Sequence, residues 1–571
     1  MLNDLYTQQG EGMTDTPWQA YPRPQMRRNS YLNLNGKWEF TVTGGKELPQ
    51  EYDKTIFVPF CPESLLSGIH EHFPEGASLF YRRPLALPED FRQGRVLLHF
   101  GAVDQYGEIY INGQLAGSHL GGYEAFCVDI TDFLQDENEL VVRATDDLRG
   151  FVQPYGKQTL NRGGMWYTPV SGIWQTVWAE CVPENRIEKL DIHADGEKAI
   201  ITVTPAYSGT VTADGKSWPL KEGKAEIRPE NPRLWSPEDP YLYDFTVETE
   251  EDRVQSYFAL RSLEIKTVGG YPRLCLNGKP YFFHGLLDQG YWSDGIFTPA
   301  DEEGFARDIQ AMKNLGFNTL RKHIKVEPEQ FYYDCDRLGM IVFQDMVNNG
   351  DYRFFRDTAL PTVGIQTLND QNMHRDAATR KAFLDGMEAT VGQLKNHPCI
   401  CYWTIFNEGW GQFDSDRVYE KFQELDSSRF IDSTSGWFRR TKSDVESLHI
   451  YFGSWGKLKP GQKPLVLSEF GGYCYGVEGH LFNPEKAYGY KACKSLPDFN
   501  RDLQALYTEK VLPAVKNGLC AAIYTQVSDV EDEINGLLTY DRKICKADPE
   551  QMQTIARQLQ QAVGQGKEET K

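Results

Sequence analysis

Three features of this 571-residue sequence predict a multidomain chain in which β-sandwich units precede a C-terminal (β/α)8 TIM barrel. At roughly 150 residues per domain the chain is too long for one core. Its first half reads as short strands punctuated by turns, whereas from residue 265 strands alternate with helices, the pattern of a parallel sheet. Within that second half two apolar runs end abruptly in glutamate, one at Asn407-Glu408 and one at Ser468-Glu469. A buried parallel strand that delivers a carboxyl group at its C-terminal tip is how such a barrel builds an active site.

In chain order, residues 1–182 form the first unit. Arg95-Val96-Leu97-Leu98-His99-Phe100, Gly107 to Ile111 and Leu140 to Ala144 read as its strands, and Asn112-Gly113 between alternating segments is a hairpin turn. Residues 183–264 make a smaller β-rich block, with strands at 199–203 and 242–247 and a break at Asn231-Pro232. The barrel is expected over 265–563. Its first helix carries Phe305, Ile309, Met312 and Leu315 as one apolar stripe stopped by Gly316. Eight candidate strands follow at 281–284, 319–323, 340–346, 401–408, 430–435, 447–451, 465–469 and 521–528. Residues 564–571, rich in Lys and Glu, read as a disordered tail.

A net charge of −21 argues against nucleic acid and anionic membrane surfaces as partners, both of which attract basic patches. The eleven cysteines are scattered, and Cys275, Cys399, Cys401 and Cys520 sit in apolar runs where a thiol packs as a small hydrophobe. The N-terminus lacks a basic and apolar leader, and no run reaches membrane-span length, so a cytoplasmic protein is expected, with a homo-oligomer as an open partner state. The histidines are dispersed, no cluster has zinc spacing, and no glycine-rich phosphate loop follows a strand, so neither cofactor nor metal is expected.

Two carboxylates on facing strand tips are the minimum equipment for hydrolysing a glycosidic bond. The substrate expected is therefore an oligosaccharide or glycoside. Trp403-Thr404-Ile405-Phe406-Asn407-Glu408 followed by Ser468-Glu469-Phe470-Gly471 resembles glycoside hydrolase family 2, and the resemblance extends over almost the whole chain. Tyr81-Arg82-Arg83, Asn112-Gly113 and Ser171-Gly172-Ile173-Trp174-Gln175 are similar to the family's jelly-roll domain, and residues 183–264 to its immunoglobulin-like domain. The resemblance implies a retaining exo-β-glycosidase with Glu408 as acid/base and Glu469 as nucleophile. It places Arg321 beside the nucleophile, Tyr451 in hydrogen-bond contact with it, and Asn407 on the sugar 2-hydroxyl. His323 matches a sugar-contacting position and is equally readable as a structural histidine. Asp288 and Asp345 at strand tips are candidates for other hydroxyls, with solvated loop carboxylates as the alternative. Strand eight carries Tyr524-Thr525-Gln526 where the wider clan offers a tryptophan platform.

The loop after strand eight holds Asp529, Glu531, Asp532 and Glu533 where β-glucuronidases of the family carry an Asn-x-Lys motif. An acidic lip repels a uronate, so a neutral sugar is expected, and because Trp403 to Glu408 is closer to the family's β-galactosidases that reading ranks first. If an acid were bound, Lys322 or Lys325 would be the cations to hold it. Phe343-Gln344-Asp345-Met346 keeps β-mannosidase open, and β-glucuronidase is the other alternative. The rival of another class is a non-catalytic carbohydrate-binding protein using an exposed aromatic loop, Met165-Trp166-Tyr167.

Overall fold

The computed structural model describes residues 2–362, 365, 369–451 and 455–564. The expected tail from residue 565 onward lies outside them. The first unit is a sandwich of two antiparallel sheets. One has six strands in the order Lys54–Val58, Gly36–Thr43, Ser78–Pro84, Glu139–Thr145, Tyr106–Ile111, Gln114–Leu120. The other has four: Leu32–Asn33, Val177–Val182, Arg95–Phe100 and Phe126–Asp129. Alternating inward residues such as Trp38, Phe40, Ile56, Leu98, Ile109 and Val142 meet in the core between them. Asn112 and Gly113 both take positive φ (52° and 77°), the two-residue turn whose twist matches the flanking strands.

The second unit packs a three-stranded sheet (Lys189–Ala194, Ala199–Thr204, Lys224–Ile227) on a four-stranded one (Lys216–Leu220, Gly209–Ala213, Tyr243–Glu248, Arg253–Phe258). It grips the barrel away from the strand tips. Arg261 donates to the carbonyls of Pro398 and Ile400 (2.6 and 2.8 Å), where barrel strand four begins. The Tyr257 hydroxyl donates to Asp336 at 2.7 Å and the Trp235 indole to its carbonyl at 2.8 Å.

The barrel strands are Phe283–Asp288, Thr319–Lys322, Ile341–Asp345, Ile400–Asn407, Phe430–Ser435, Glu446–Ile450, Leu465–Gly471 and Leu519–Thr525, here called strands one to eight. Each is parallel to its hydrogen-bonded neighbours, and the ladder runs 5-4-3-2-1-8-7-6. The seam between strands five and six is spanned by side chains, Ser435 Oγ lying 3.4 Å from Ser447 Oγ and 3.0 Å from His449 Nε2. Strand one starts later than its sequence suggests, because the run before it folds into a separate antiparallel sheet, Leu263–Val268, Tyr271–Leu276 and Lys279–Pro280. Strand eight stops at Thr525, short of the expected 528. The helix Gly304–Asn314 buries Phe305, Ile309 and Met312, with Leu315 and Gly316 just beyond it. Among the described residues every cysteine is free, and Cys275, Cys399, Cys401 and Cys520 are buried. Among the described residues no helix is long and apolar enough to cross a membrane.

Candidate active site

Strand four runs fully buried from Ile400 to Asn407, and Glu408 then leaves it at a positive φ of 53°. That conformation is costly for a non-glycine residue and marks stored strain at the strand tip. Gly409 continues the turn at φ 75°, and a Cβ there would run into the Phe438 ring. The sharp turn holds the Glu408 carboxyl over the mouth. Glu469 rises from strand seven on the far side, and a ligand oxygen from each, with one nitrogen of His449, all lie within 4.8 Å of one another.

Arg321 on strand two organises the floor. Its guanidinium is 1% exposed and makes four hydrogen bonds: Nε to Asp345 (2.9 Å), Nη1 to Glu469 (2.9 Å) and to the Ser468 carbonyl (3.0 Å), and Nη2 to Asn407 Oδ1 (2.8 Å). One planar fork thus fixes Glu469, Asn407 and Asp345 together. Because Asn407 Oδ1 is occupied, its amide N–H groups are left to face a substrate. The second Glu469 oxygen accepts a hydrogen bond from the Tyr451 hydroxyl, whose oxygen is also 3.1 Å from Thr525 Oγ1. Tyr451 in turn stacks on Tyr490 with ring centroids 3.7 Å apart.

Burial raises the Glu469 pKa, but the charges of His449, Arg321 and His323 and the Tyr451 hydrogen bond outweigh it and bring it to about 2. The group is a carboxylate across the ordinary pH range. Burial holds the Tyr451 phenol far above its usual value, with Glu469 adding to the effect, so the phenol stays a donor. Burial lowers the His323 pKa, against the opposing pull of its Asp345 hydrogen bond and of Glu469.

Six of the eight residues singled out from sequence converge here: Glu408, Glu469, Asn407, Arg321, His323 and Tyr451. Asp345 is present but not as a free hydroxyl receptor, since its oxygens are taken by Arg321 Nε and by His323 Nδ1 at 2.8 Å. Asp288 likewise accepts from Lys322 Nζ (2.7 Å) and the Gly290 amide (2.9 Å). The aromatic loop is not exposed: Tyr167 is buried, and Trp166 packs edge-on against Trp410 and Tyr352 at 5.1 and 4.9 Å.

The acidic lip is also absent. Asp529, Glu531, Asp532 and Glu533 are all buried and fasten the loop to neighbouring structure. Asp529 pairs with Lys546 (2.7 Å), Glu531 accepts from the Thr168 amide (2.9 Å), Asp532 meets Arg162 (3.1 Å), and Glu533 accepts from the Tyr167 hydroxyl. Burial raises the pKa of Asp529 to about 6 and raises those of Glu531 and Glu533. Lys322 and Lys325 cannot serve a substrate acid either, because both are buried on Glu327, at 2.9 Å each.

His449 escaped the sequence reading. Its Nδ1 lies 2.7 Å from Glu408 and its Nε2 3.5 Å from Glu469, so it bridges the two glutamates. The signal was present, since His449 sits two residues before Tyr451 and shares its face of strand six. Among the described residues this trio is the only group of His, Cys, Asp or Glu with ligand-like spacing.

A (β/α)8 barrel that presents two glutamates and a buried arginine at its strand tips, under a jelly-roll roof, defines a sugar-processing class of protein. Three family profiles match the chain. Residues 270–561 match "Glycosyl hydrolases family 2, TIM barrel domain", residues 42–178 the family's sugar binding domain, and residues 185–261 "Glycosyl hydrolases family 2". The chain belongs to glycosyl hydrolase family 2. A β-galactosidase of Thermoanaerobacter pseudethanolicus is 23% identical over 494 residues, covering 79% of this chain and 62% of the relative. A putative β-glucuronidase of Formosa agariphila is 24% identical, covering 68% of this chain and 48% of its own. This chain thus spans about half to three fifths of those relatives' lengths. Among solved structures, a β-D-glucuronidase from Dictyoglomus thermophilum superposes with a TM-score of 0.71 at 18% identity, covering 95% of this chain and 98% of that one. A β-galacturonidase from Eisenbergiella tayi gives 0.66 at 18% identity, with 95% and 98% covered. These likenesses carry the fold.

Proposed function

We propose that this chain is a retaining exo-β-glycosidase that removes terminal β-linked sugars by double displacement. The observation that carries the proposal is the carboxylate spacing: oxygens of Glu408 and Glu469 come within 4.8 Å, the close separation of retaining enzymes rather than the wider gap that accommodates a water in inverting ones. Glu469, kept ionised, attacks the anomeric carbon while Glu408 protonates the leaving oxygen. Glu408 then deprotonates the water that cleaves the glycosyl-enzyme. The Asn407 amide is placed for the sugar 2-hydroxyl, a contact that strengthens as oxocarbenium character develops.

The sugar is a terminal hexose or hexuronic acid. The preference for a neutral sugar over a uronate rested on an acidic lip, and with those carboxylates buried that reason falls away. The Trp403 to Glu408 run keeps a β-galactoside in view, and the β-glucuronidase and β-galacturonidase folds among its neighbours put uronides beside it. A panel of 4-nitrophenyl β-galactoside, glucoside, mannoside, glucuronide and galacturonide, assayed with product analysis by NMR, tests the proposal. Hydrolysis of none of them, or release of the inverted anomer, would overturn it.

A further inference from the structure

Lys157 of the sandwich unit lies within electrostatic reach of His323 and Glu533 beside the barrel mouth. The sandwich loop containing Tyr155, Gly156 and Lys157 is fixed to the barrel by amide hydrogen bonds from Tyr155 and Gly156 to the Asn348 carbonyl (3.1 and 3.2 Å). The Tyr155 hydroxyl adds another, to the Gly350 carbonyl at 2.8 Å. Gly156 sits at φ 63°, and a Cβ there would lie 2.8 Å from the Ile324 carbonyl, so the loop presses against the residue next to His323. Lys157 follows directly. Its backbone carbonyl accepts from the Tyr167 amide (3.1 Å), and its ammonium lies 5.5 Å from the centre of the Trp166 ring. Trp166 packs on Trp410, two residues past Glu408. The Lys157 charge is felt by His323 and by Glu533, which frame the site from strand two and from the loop after strand eight.

The buried cations nearby have anionic partners within the protein: Arg321 has Asp345 and Glu469, Lys322 and Lys325 share Glu327, and Lys546 has Asp529. Among the described residues no carboxylate lies within ion-pair distance of Lys157. Glu533, although it feels the Lys157 charge, is bound to the Tyr167 hydroxyl and to the Asn535 amide at 2.9 Å and makes no ion pair with that lysine. A half-buried ammonium backed by an aromatic face and lacking a protein counter-ion is a receptor for a substrate anion.

We propose that Lys157, supplied by the jelly-roll unit, binds the carboxylate of a terminal hexuronic acid and so makes this chain selective for β-uronides. The assignment rests on the glycosidase reading above and names its substrate class. It moves the uronate-recognising lysine from the barrel to the roof.

Two measurements separate the two readings. Calorimetric titration of Glu469→Gln protein with 4-nitrophenyl β-glucuronide, galacturonide, glucoside and galactoside reads binding without turnover. One uronide is expected to bind at least about tenfold tighter than its neutral counterpart. Adding Lys157→Met should abolish that preference, and Lys157→Arg should retain most of it. In the otherwise unaltered enzyme, Lys157→Met should lower the ratio of kcat/KM for the uronide over the hexoside about a hundredfold, the loss of one charge-assisted contact. A merely structural lysine would weaken both sugars together and leave the ratio unchanged, which overturns the proposal, as does the absence of any uronide preference. Lys157→Gln provides a second neutral variant if Lys157→Met does not fold. A Lys157-dependent binding preference without turnover of any glycoside would sink the double-displacement reading alone, whereas turnover of neutral glycosides only would sink the Lys157 assignment alone.

Discussion

Tyr451→Phe removes one oxygen from the site and little else. The lost hydroxyl donates to one oxygen of Glu469, while the other oxygen stays on Arg321 Nη1 at 2.9 Å; the ring keeps its stacking on Tyr490. A hydrogen bond to a charged group is worth about 1.5–3 kcal/mol. At about 1.4 kcal/mol per factor of ten, kcat/KM should fall roughly 10- to 100-fold. The same energy appears as a shift of the nucleophile's pKa. The depressed Glu469 pKa, about 2 in the intact site, should rise by roughly 1–2 units, because each unit corresponds to about 1.4 kcal/mol. The sign follows from the active form: Glu469 must be ionised, so raising its pKa moves the acid limb of the kcat/KM profile to higher pH. The assay is kcat/KM from pH 3 to 8 with the best 4-nitrophenyl glycoside, beside a melting curve for each protein. A drop of less than about threefold with an unmoved acid limb would refute the role given to Tyr451 and the charge balance around Glu469.

Glu469→Gln should abolish turnover while leaving the melting temperature close to wild type, since the amide keeps the volume and loses the nucleophile; activity within about tenfold of wild type would end the assignment. Glu408→Ala should slow glycosides with poor leaving groups most, and added azide should restore rate as a β-glycosyl azide, identified by NMR; an α-azide would mean that the roles or the retaining course are wrong. Glu63, buried and accepting from Ser171 N and Oγ, has its pKa pushed up by burial from 4.5 to about 8. It stays protonated when folded, so its stabilising contribution is complete below the unfolded value of 4.5 and is lost as pH rises toward 8. Glu63→Gln should therefore lose less Tm than wild type between pH 5 and pH 8, as read by calorimetry.

Much of the site was legible in the sequence because a barrel strand advertises itself locally. An apolar run buried on both faces and ending in a polar residue places that residue at a strand tip whatever the partners are. That logic marked Glu408 and Glu469, and the resemblance to the family added Asn407, Arg321 and Tyr451; the structure places all five together at the strand tips. Periodicity is silent on what a charged side chain meets. Asp529, Glu531, Asp532 and Glu533 read as an exposed cluster, yet Glu533 is sealed by Tyr167, 366 residues away in sequence, and Glu531 by Thr168, 363 residues away. Likewise only the closed barrel brings His449 between two glutamates on other strands, and only the docking of the jelly-roll sets Lys157 within electrostatic reach of His323 and Glu533. Local sequence determines which residues a strand offers; counter-ions and burial are settled by contacts between segments far apart in the chain, and these exist only once the units have packed.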